Sequence, residues 1–140
     1  MDKFKEIRPV VIGIVRNGNK ILVSEGHDNV KNQTFYRCIG GEIEFLEKSQ
    51  DALKREYKEE LGVEIEIIEY LGLAENIFTY QGKNAHEMIL FYNVKIKESD
   101  LKEKYHIVDG DFEMNAYWID IDEFKNSKKI LYPEQIFKYL

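Results

Sequence analysis

Cysteine and proline are scarce in this 140-residue sequence, which has one cysteine, Cys38, and two prolines, Pro9 and Pro133. A single cysteine excludes an intrachain disulfide. Because Cys38 lies in an apolar, strand-like segment, we predict a buried structural thiol rather than a nucleophile. A reducing cytoplasm is the compartment expected for such a chain.

Long apolar runs and excess positive charge are also missing. The longest apolar run, residues 10–15, is far shorter than the roughly 20 residues that span a bilayer, and residues 1–6 lack the apolar core of a signal peptide. We therefore expect a soluble protein without a membrane partner. The net charge of −6 argues against a nucleic acid polymer as partner, because binding phosphates along a polymer requires a basic face.

Apolar residues are plentiful in total, at 44% of the chain, and 13% of the residues are aromatic. This supply is enough for one compact domain with a real core, which we predict to cover residues 1–140.

The histidines His27, His86 and His106 are scattered without the spacing of a zinc site, so we interpret them as ordinary residues.

The clearest predicted element is a helix over residues 50–61. Ser49 is a favourable N-cap and Gly62 a left-handed stop. At about 100° per residue, one face of this helix is apolar and can pack on a sheet. This apolar stripe consists of Leu53, Tyr57 and Leu61.

Three glutamates, Glu56, Glu59 and Glu60, fall together on the flank of this helix, because residues three and four apart are surface neighbours. Like charges at that spacing repel, so a positive group should lie beside them. A hard divalent cation with oxygen ligands fits best, and a solvated acidic face is the alternative. Arg55 is the other cation on this side, with Glu47 as its candidate partner.

A longer spacing pattern surrounds these glutamates. In order it comprises Gly41, five residues, Glu47, seven residues, Arg55-Glu56, an apolar residue, one residue, Glu59-Glu60, one residue, Gly62 and an apolar residue. This pattern resembles the signature box of the Nudix hydrolase family at every fixed position. The box covers about a sixth of the chain, from Gly41 to Val63.

Three positions depart from the usual form of that box. Tyr57 stands where an aliphatic residue is usual, and we expect it to pack. Ile39 replaces the proline that commonly precedes the double glycine, and Leu46 replaces a frequent glycine. The last two changes are expected to alter the loop and the fit of the substrate.

The rest of the chain predicts mainly strands. Residues 7–15 and 21–24 suggest a hairpin around a turn at residues 17–19, followed by a loop at 25–34 and a strand at 35–39. Beyond the helix we predict three strands, at residues 63–80 with a break at Gly72, at 87–97 and at 116–121. A turn is predicted at residues 81–84 and a loop at 109–111. Pro133 is predicted to open a final helix.

Strands on both sides of one helix, with a second helix at the end, indicate an α/β sandwich with a mixed sheet, and the resemblance implies the α/β/α sandwich of Nudix proteins. It also implies a hydrolase acting on a nucleoside diphosphate linked to another moiety. In such a reaction water attacks phosphorus, while Mg²⁺ or Mn²⁺ neutralises the developing charge and activates the water.

The resemblance implies the following site residues. The metal ligands are Glu56 and Glu60, then Glu59, with the carbonyl of Gly41 as a backbone ligand. Catalytic roles fall to Glu59, Glu56 and Arg55, together with one downstream carboxylate, for which Glu113 is the first candidate and Asp111 and Glu87 the next. A solvated loop residue is the alternative interpretation of Glu113.

Substrate contacts are predicted on the flanking strands. Arg37 can reach a phosphate, although a surface role is the alternative, and Glu87 lies on a strand that in Nudix proteins faces the substrate cleft. A nucleobase needs a planar apolar partner, for which we predict Tyr80 or one of Phe35 and Tyr36.

The nature of the substrate is only partly constrained. Members that resemble ADP-ribose hydrolases carry a proline some sixteen residues past the box, whereas the prolines of this chain are Pro9 and Pro133, which disfavours ADP-ribose. Tyr80, 17 residues after Val63, hints at dinucleoside polyphosphates, and nucleoside triphosphates are equally open. A small nucleotide is the expected partner, and a homodimer is left open. The alternative function is a non-catalytic nucleotide-sensing or protein-binding module, which the retained glutamates of the box disfavour.

Overall fold

A computed structural model of the protein describes residues 5–140, with the side chains of Asp109, Phe112 and Met114 excepted. Residues 1–4, which bear on the signal-peptide expectation, lie outside that part. The strands are β1 (Ile7–Ile14), β2 (Arg16–Asn17), β3 (Lys20–Asp28), β4 (Gln33–Cys38), β5 (Gly40–Glu42), β6 (Ile65–Tyr80), β7 (Lys83–Ile96), β8 (Lys104–Asp109), β9 (Phe112–Asp120) and β10 (Leu131–Tyr132). The helices are α1 (Ser49–Leu61) and α2 (Ile121–Lys125), with 3₁₀ turns at Glu98–Asp100 and Glu134–Tyr139.

The strands form two sheets. One has the order β5-β1-β7-β6, and the other has the order β10-β4-β3-β9-β8, with the short β2 paired to β3. Each sheet is mixed, because β1 pairs with β7 and β10 with β4 in parallel while the remaining pairs are antiparallel. The mixed-sheet architecture predicted from the sequence is confirmed.

Two hydrophobic clusters cover opposite faces of the strands. In β1, Val11 belongs to the cluster that contains α1, whereas Val10 and Ile12 belong to the cluster that contains α2 and the C-terminal 3₁₀ turn. This division follows from the alternation of side chains along a strand. The result is a layered α/β/α sandwich, with α1 on one side and the C-terminal elements on the other.

Helix α1 matches the prediction closely, although its first turn differs. Ser49 is not the N-cap: Lys48 occupies that position without a side-chain hydrogen bond, because the Ser49 hydroxyl lies 2.7 Å from the hydroxyl of Tyr92. At the other end Gly62 adopts φ 68°, and its N–H donates to the carbonyl of Lys58. The predicted apolar stripe is buried.

Several predicted boundaries were wrong. The expected hairpin is confined to β2 and β3, because β1 joins the other sheet. The predicted loop at residues 25–34 is mostly strand, since β3 reaches Asp28 and β4 begins at Gln33. This stretch has a solvent-exposed face, so polar residues such as Glu25 and His27 fit a strand there.

The C-terminal third also differs from the prediction in detail. Strand β6 continues through Gly72 without a break, although its register with β7 shifts twice in the residues just before Gly72. The segment after Pro133 is a six-residue 3₁₀ turn, and Ile136 is buried as expected. The short helix α2 was missed, although Asp120 is a typical N-cap, accepting from the N–H of Asp122 at 2.9 Å.

None of the helices found between residues 5 and 140 has the length and apolar character needed to cross a bilayer. Cys38 is buried at 2% exposure, and burial raises the pKa of its thiol to about 12. The prediction of a buried thiol is confirmed, and its raised pKa disfavours the thiolate form that a nucleophile requires.

Candidate active site

Two glycines bring β5 close to its neighbours. A Cβ atom on Gly40 would lie 2.0 Å from the carbonyl oxygen of Val11, which leaves no room for any side chain. A Cβ atom on Gly41 would lie 2.2 Å from the carboxyl carbon of Glu56. Because Gly41 has no side chain, the Glu56 carboxylate can lie directly against the strand backbone.

Arg55 organises the residues around this point. Its Nε donates to Oε2 of Glu47 at 2.8 Å, and its Nη2 donates to Oε1 of the same carboxylate at 2.9 Å. Nη2 also donates to the backbone carbonyl of Glu42 at 3.0 Å. The pairing of Arg55 with Glu47 proposed from the sequence is present, and it joins α1 to the loop before it and to β5.

The same guanidinium contacts two of the three helical glutamates. Arg55 Nη1 donates to Glu56 at 2.9 Å and to Glu59 at 3.2 Å. The positive group that the sequence led us to expect beside the glutamates is thus, in this structure, Arg55. The Glu56 side chain is only 14% exposed, whereas that of Glu59 is 60% exposed.

The pKa of the Glu56 carboxyl is shifted from its ordinary value. Burial raises the pKa of its carboxyl above the ordinary value, because desolvation outweighs the opposing effect of Arg55. The negative charge of Glu59 acts in the same direction, and a hydrogen bond with Glu60 lowers the pKa. Glu56 and Glu60 therefore meet, as predicted from their spacing of one helical turn.

These carboxylates are suited to a divalent cation, but they are not pre-arranged as a metal site. Within residues 5–140, leaving aside the three undescribed side chains, no three His, Cys, Asp or Glu residues form a group able to hold a metal ion. Arg55 already engages Glu56 and Glu59. The donor set nevertheless fits a hard cation, because the Glu56 carboxylate lies against the backbone of Gly41 and also contacts Glu60.

Of the departures from the usual box, Tyr57 has a structural explanation, whereas Leu46 carries backbone strain. Tyr57 is fully buried, and its hydroxyl donates to the carbonyl of Gly13 at 3.1 Å. A Cβ atom on Gly13 would lie 2.9 Å from that hydroxyl, so the glycine leaves room for the larger side chain. Leu46 adopts φ 66°, the left-handed conformation in which glycine is favoured, and its side chain is 92% exposed.

A cavity of about 790 Å³ opens between the two sheets, within the size range of small-ligand sites. Its lining includes Phe35 and Arg37 on β4, and Tyr80 and Glu87 on the other sheet, which are four of the five residues predicted to bind substrate. The fifth, Tyr36, does not line the cavity. It points to the opposite face of β4, where its hydroxyl donates to Glu25 and its ring lies 5.9 Å from that of Phe124.

Glu87 is buried at the inner end of the cavity, where it binds two arginines from different sheets. Its carboxylate accepts from Arg37 at 2.8 Å and lies 3.7 Å from Arg8, its neighbour across β1 and β7. Arg8 also pairs with Glu42 at 3.4 Å, next to Gly41. Sequence reasoning missed Arg8, because a single arginine near the start of a strand usually lies on the surface.

The outer part of the cavity is aromatic. The ring of Phe35 meets that of Tyr80 edge to face, with centroids 6.0 Å apart, and lies 5.5 Å from that of Tyr132. Asp28, also in the lining, accepts from the N–H groups of Lys31 at 3.0 Å and Gln81 at 3.1 Å. These bonds lower the pKa of Asp28 and tie the β3–β4 connection to the β6–β7 turn, so the two sheets are joined beside the cavity.

Of the three downstream carboxylates considered for catalysis, Glu87 lines the cavity, whereas Glu113 and Asp111 lie elsewhere. Glu113 is on β9, exposed, with its carboxylate 3.6 Å from the ring of His106 on β8, and Asp111 is exposed in the turn between these strands. No hydrogen bond or ion pair among the described side chains connects Glu113 with Glu56.

The comparisons with known proteins agree with this architecture. A family model for the NUDIX domain matches residues 6–139. A NUDIX hydrolase from Nitrosomonas europaea superposes with a TM-score of 0.68 at 16% identity, covering 95% of this chain and 85% of that one. A MutT NUDIX hydrolase from Burkholderia pseudomallei gives a TM-score of 0.65 at 20% identity, covering 84% and 85%.

A curated relative is the NAD-capped RNA hydrolase NudC of Vibrio atlanticus (strain LGP32), which is 38% identical over 69 residues. The match covers 49% of this chain and 25% of the relative, so the chain spans about a quarter of that protein's length. With a family model that matches nearly its whole length, the chain belongs to the Nudix family. The family predicted from the sequence is confirmed.

Proposed function

We propose that this protein is a divalent-metal-dependent hydrolase that cleaves the pyrophosphate bond of a nucleoside diphosphate linked to another moiety. The observation that carries the proposal is that the Glu56 carboxylate, whose pKa is raised, contacts Glu60 and lies against the backbone of Gly41. Such perturbed carboxylates are typical of catalytic sites.

The proposed metal ligands are Glu56, Glu60 and Glu59, with the carbonyl of Gly41, and the proposed ion is Mg²⁺ or Mn²⁺. When bound, the cation neutralises charge on the phosphoryl oxygens and lowers the pKa of coordinated water. Arg55 positions Glu56 and Glu59 through Nη1, while its two bonds to Glu47 prevent the guanidinium from rotating.

The cavity supplies the substrate-binding part of the proposal. Phe35 and Tyr80 provide aromatic surface for a nucleobase. Arg37 and Arg8 lie between this surface and β5, where guanidinium groups can bind phosphate oxygens. Glu87 is better suited to orienting the arginines than to accepting a proton from water, because both are within ion-pair distance of its carboxylate.

The general base and the substrate are narrower proposals. Glu113 remains the first candidate for the base, acting from the β8–β9 hairpin. The relative's name refers to the end of an RNA, but the net charge of −6 favours a free nucleotide for this chain, such as a nucleoside triphosphate or a dinucleoside polyphosphate. A cytoplasmic location and a homodimer likewise remain predictions.

The decisive experiment is a phosphate-release assay over a panel of nucleoside triphosphates, dinucleoside polyphosphates and nucleotide sugars. We expect turnover of at least one compound with Mg²⁺ or Mn²⁺ and none with excess chelator. Absence of turnover with every divalent ion would favour the non-catalytic nucleotide-sensing module instead.

A matched pair of variants tests the site itself. Glu60→Gln removes one charge from the cluster, whereas Glu66→Gln makes the same change at an exposed position of β6. Glu60→Gln should lower turnover by on the order of a hundredfold and reduce the rise in Tm caused by Mg²⁺, with stability within about 1 kcal/mol of wild type. Glu66→Gln should change none of these quantities. Full activity and an undiminished Mg²⁺ shift in Glu60→Gln would overturn the assignment of the metal ligands.

A further inference from the structure

Gln33 and Tyr132 form a hydrogen-bonded pair in the wall of the cavity. The hydroxyl of Tyr132 donates to Oε1 of Gln33 at 2.8 Å, and both residues line the cavity while remaining only half-buried. They come from distant parts of the chain, because Gln33 begins β4 and Tyr132 ends β10, its parallel neighbour. The Tyr132 ring lies along β4 beside Phe35.

This pair has a defined hydrogen-bonding polarity. Because the hydroxyl hydrogen of Tyr132 goes to Gln33 Oε1, the oxygen of Tyr132 is left as an acceptor. The side-chain nitrogen of Gln33 makes no hydrogen bond to any part of the protein that the structure describes, so it is left as a donor. The cavity wall therefore presents a donor beside an acceptor, at the edge of the aromatic surface formed by Phe35 and its neighbours.

We infer that Gln33 and Tyr132 bind the edge of a nucleobase, with the Gln33 amide donating to a ring nitrogen or carbonyl oxygen and the Tyr132 oxygen accepting from an adjacent N–H. The inference rests on the proposed function and adds the base-recognition site to it. The ligand class is a base with an acceptor next to an N–H donor, lying against Phe35.

The order of groups along β4 supports this orientation. Gln33, Phe35 and Arg37 share one face of the strand, so successive members lie about 7 Å apart. Arg37 is at the end nearest to Glu87 and Arg8, and Gln33 is at the far end. A nucleotide bound with its base at Gln33 and Phe35 directs its phosphates to Arg37, and from there towards Gly41.

Binding of nucleoside monophosphates, measured by calorimetry, tests the inference without turnover. Two ligand pairs differ only in the edge donor: AMP against purine riboside 5′-monophosphate, which lacks the amino group, and UMP against its N3-methyl derivative. For the base that binds, wild type should prefer the member with the donor by about tenfold, the effect of one hydrogen bond. Tyr132→Phe removes the oxygen that accepts the hydrogen bond from the base, so the ratio of the two affinities should fall to about one.

Gln33→Glu provides the complementary variant. The new carboxylate can still accept from Tyr132 but has no donor, so binding of the preferred nucleotide should weaken about tenfold. Tyr117→Phe is the matched control, since that hydroxyl accepts from Asn115 outside the cavity, and it should bind as wild type does. Melting temperatures identify variants that fail to fold.

The inference is overturned if no monophosphate binds, or if wild type and Tyr132→Phe discriminate equally between the members of a pair. Turnover by a protein that does not discriminate between the members of a ligand pair would rule out the base-recognition site but not the hydrolase proposal. Edge discrimination without turnover of any compound in the panel defeats the hydrolase proposal alone.

Discussion

Arg55 holds the carboxylate of Glu47 through two parallel hydrogen bonds, from Nε at 2.8 Å and from Nη2 at 2.9 Å. With Nη1 it reaches Glu56 and Glu59, so the guanidinium connects the loop before α1 with the acidic flank of that helix. A planar fork is required for this arrangement, because lysine presents one point charge and cannot fix its own orientation.

The pairing makes stability depend on pH. Arg55 lowers the pKa of Glu47 from 4.5 to about 2, so the folded protein binds this proton less readily than the unfolded chain does. The contribution is fully present above pH 4.5 and is lost as the pH falls from 4.5 to about 2. Urea unfolding should show Glu47→Gln destabilised by about 1–3 kcal/mol at pH 7, with the difference from wild type shrinking towards pH 2. A difference that stays constant with pH would contradict the ion pair.

Adjacent glycines should respond differently to alanine. In Gly40→Ala the new Cβ meets the backbone of Val11, which cannot move without disrupting β1, so we expect a loss of several kcal/mol or failure to fold. In Gly41→Ala it meets the Glu56 carboxylate, which can swing away. That variant should lose about 1 kcal/mol of stability or less and tenfold or more of its turnover. Thermal unfolding and the phosphate-release assay compare the two, and similar losses of stability would count against the close approach to Glu56.

The loop before α1 offers a stabilising substitution. Leu46 is held at φ 66°, which costs a residue with a Cβ roughly 1–2 kcal/mol relative to glycine. Replacing Leu46 with glycine removes this cost, but part of the stabilisation is offset because glycine makes the unfolded chain more flexible. Leu46→Gly should therefore raise the free energy of unfolding by about 0.5–1 kcal/mol. Phe45 is an equally exposed neighbour without positive φ, so Phe45→Gly should lower the free energy of unfolding. A change of the same sign in both variants would contradict the strain at Leu46.

The aromatic wall should affect substrate affinity more than chemistry. Stacking of a base on an aromatic ring contributes about 1–3 kcal/mol. Phe35→Ala and Tyr80→Ala should therefore each raise KM about tenfold or more for the best substrate found in the panel, with a smaller change in kcat. Steady-state kinetics measure both quantities. Unchanged KM in both folded variants would remove these residues from the site.

Local rules were sufficient for the part of the site carried by one helix. The spacing of Glu56, Glu59 and Glu60 fixes their common flank, because residues one turn apart are neighbours in any α-helix. Ser49 was misassigned as the N-cap, because its hydroxyl bonds instead to Tyr92, which is 43 residues away in the chain. Capping propensity contains no information about such a partner.

The residues that line the cavity could not be predicted from local rules, because the cavity is formed by contacts between the two sheets. Tyr36 and Phe35 are adjacent in sequence and equally aromatic, yet only Phe35 faces the space between the sheets. Which of them does so depends on the pairing of β4 with β3 and β10, since one step along a strand reverses the face. Arg8 and Tyr132 were overlooked for the same reason, because their neighbours belong to other strands.

The sequence by itself determined the family, the helix and the residues of the acidic flank, since these follow from periodicities and spacings within 23 consecutive residues, Gly41 to Val63. Only the tertiary structure decided that Arg55 is the positive group among the glutamates and that Arg8, Arg37 and Glu87 meet between the sheets. The physical reason is that strand pairing brings together residues tens of positions apart, and neither periodicity nor propensity specifies which strands pair or in which register.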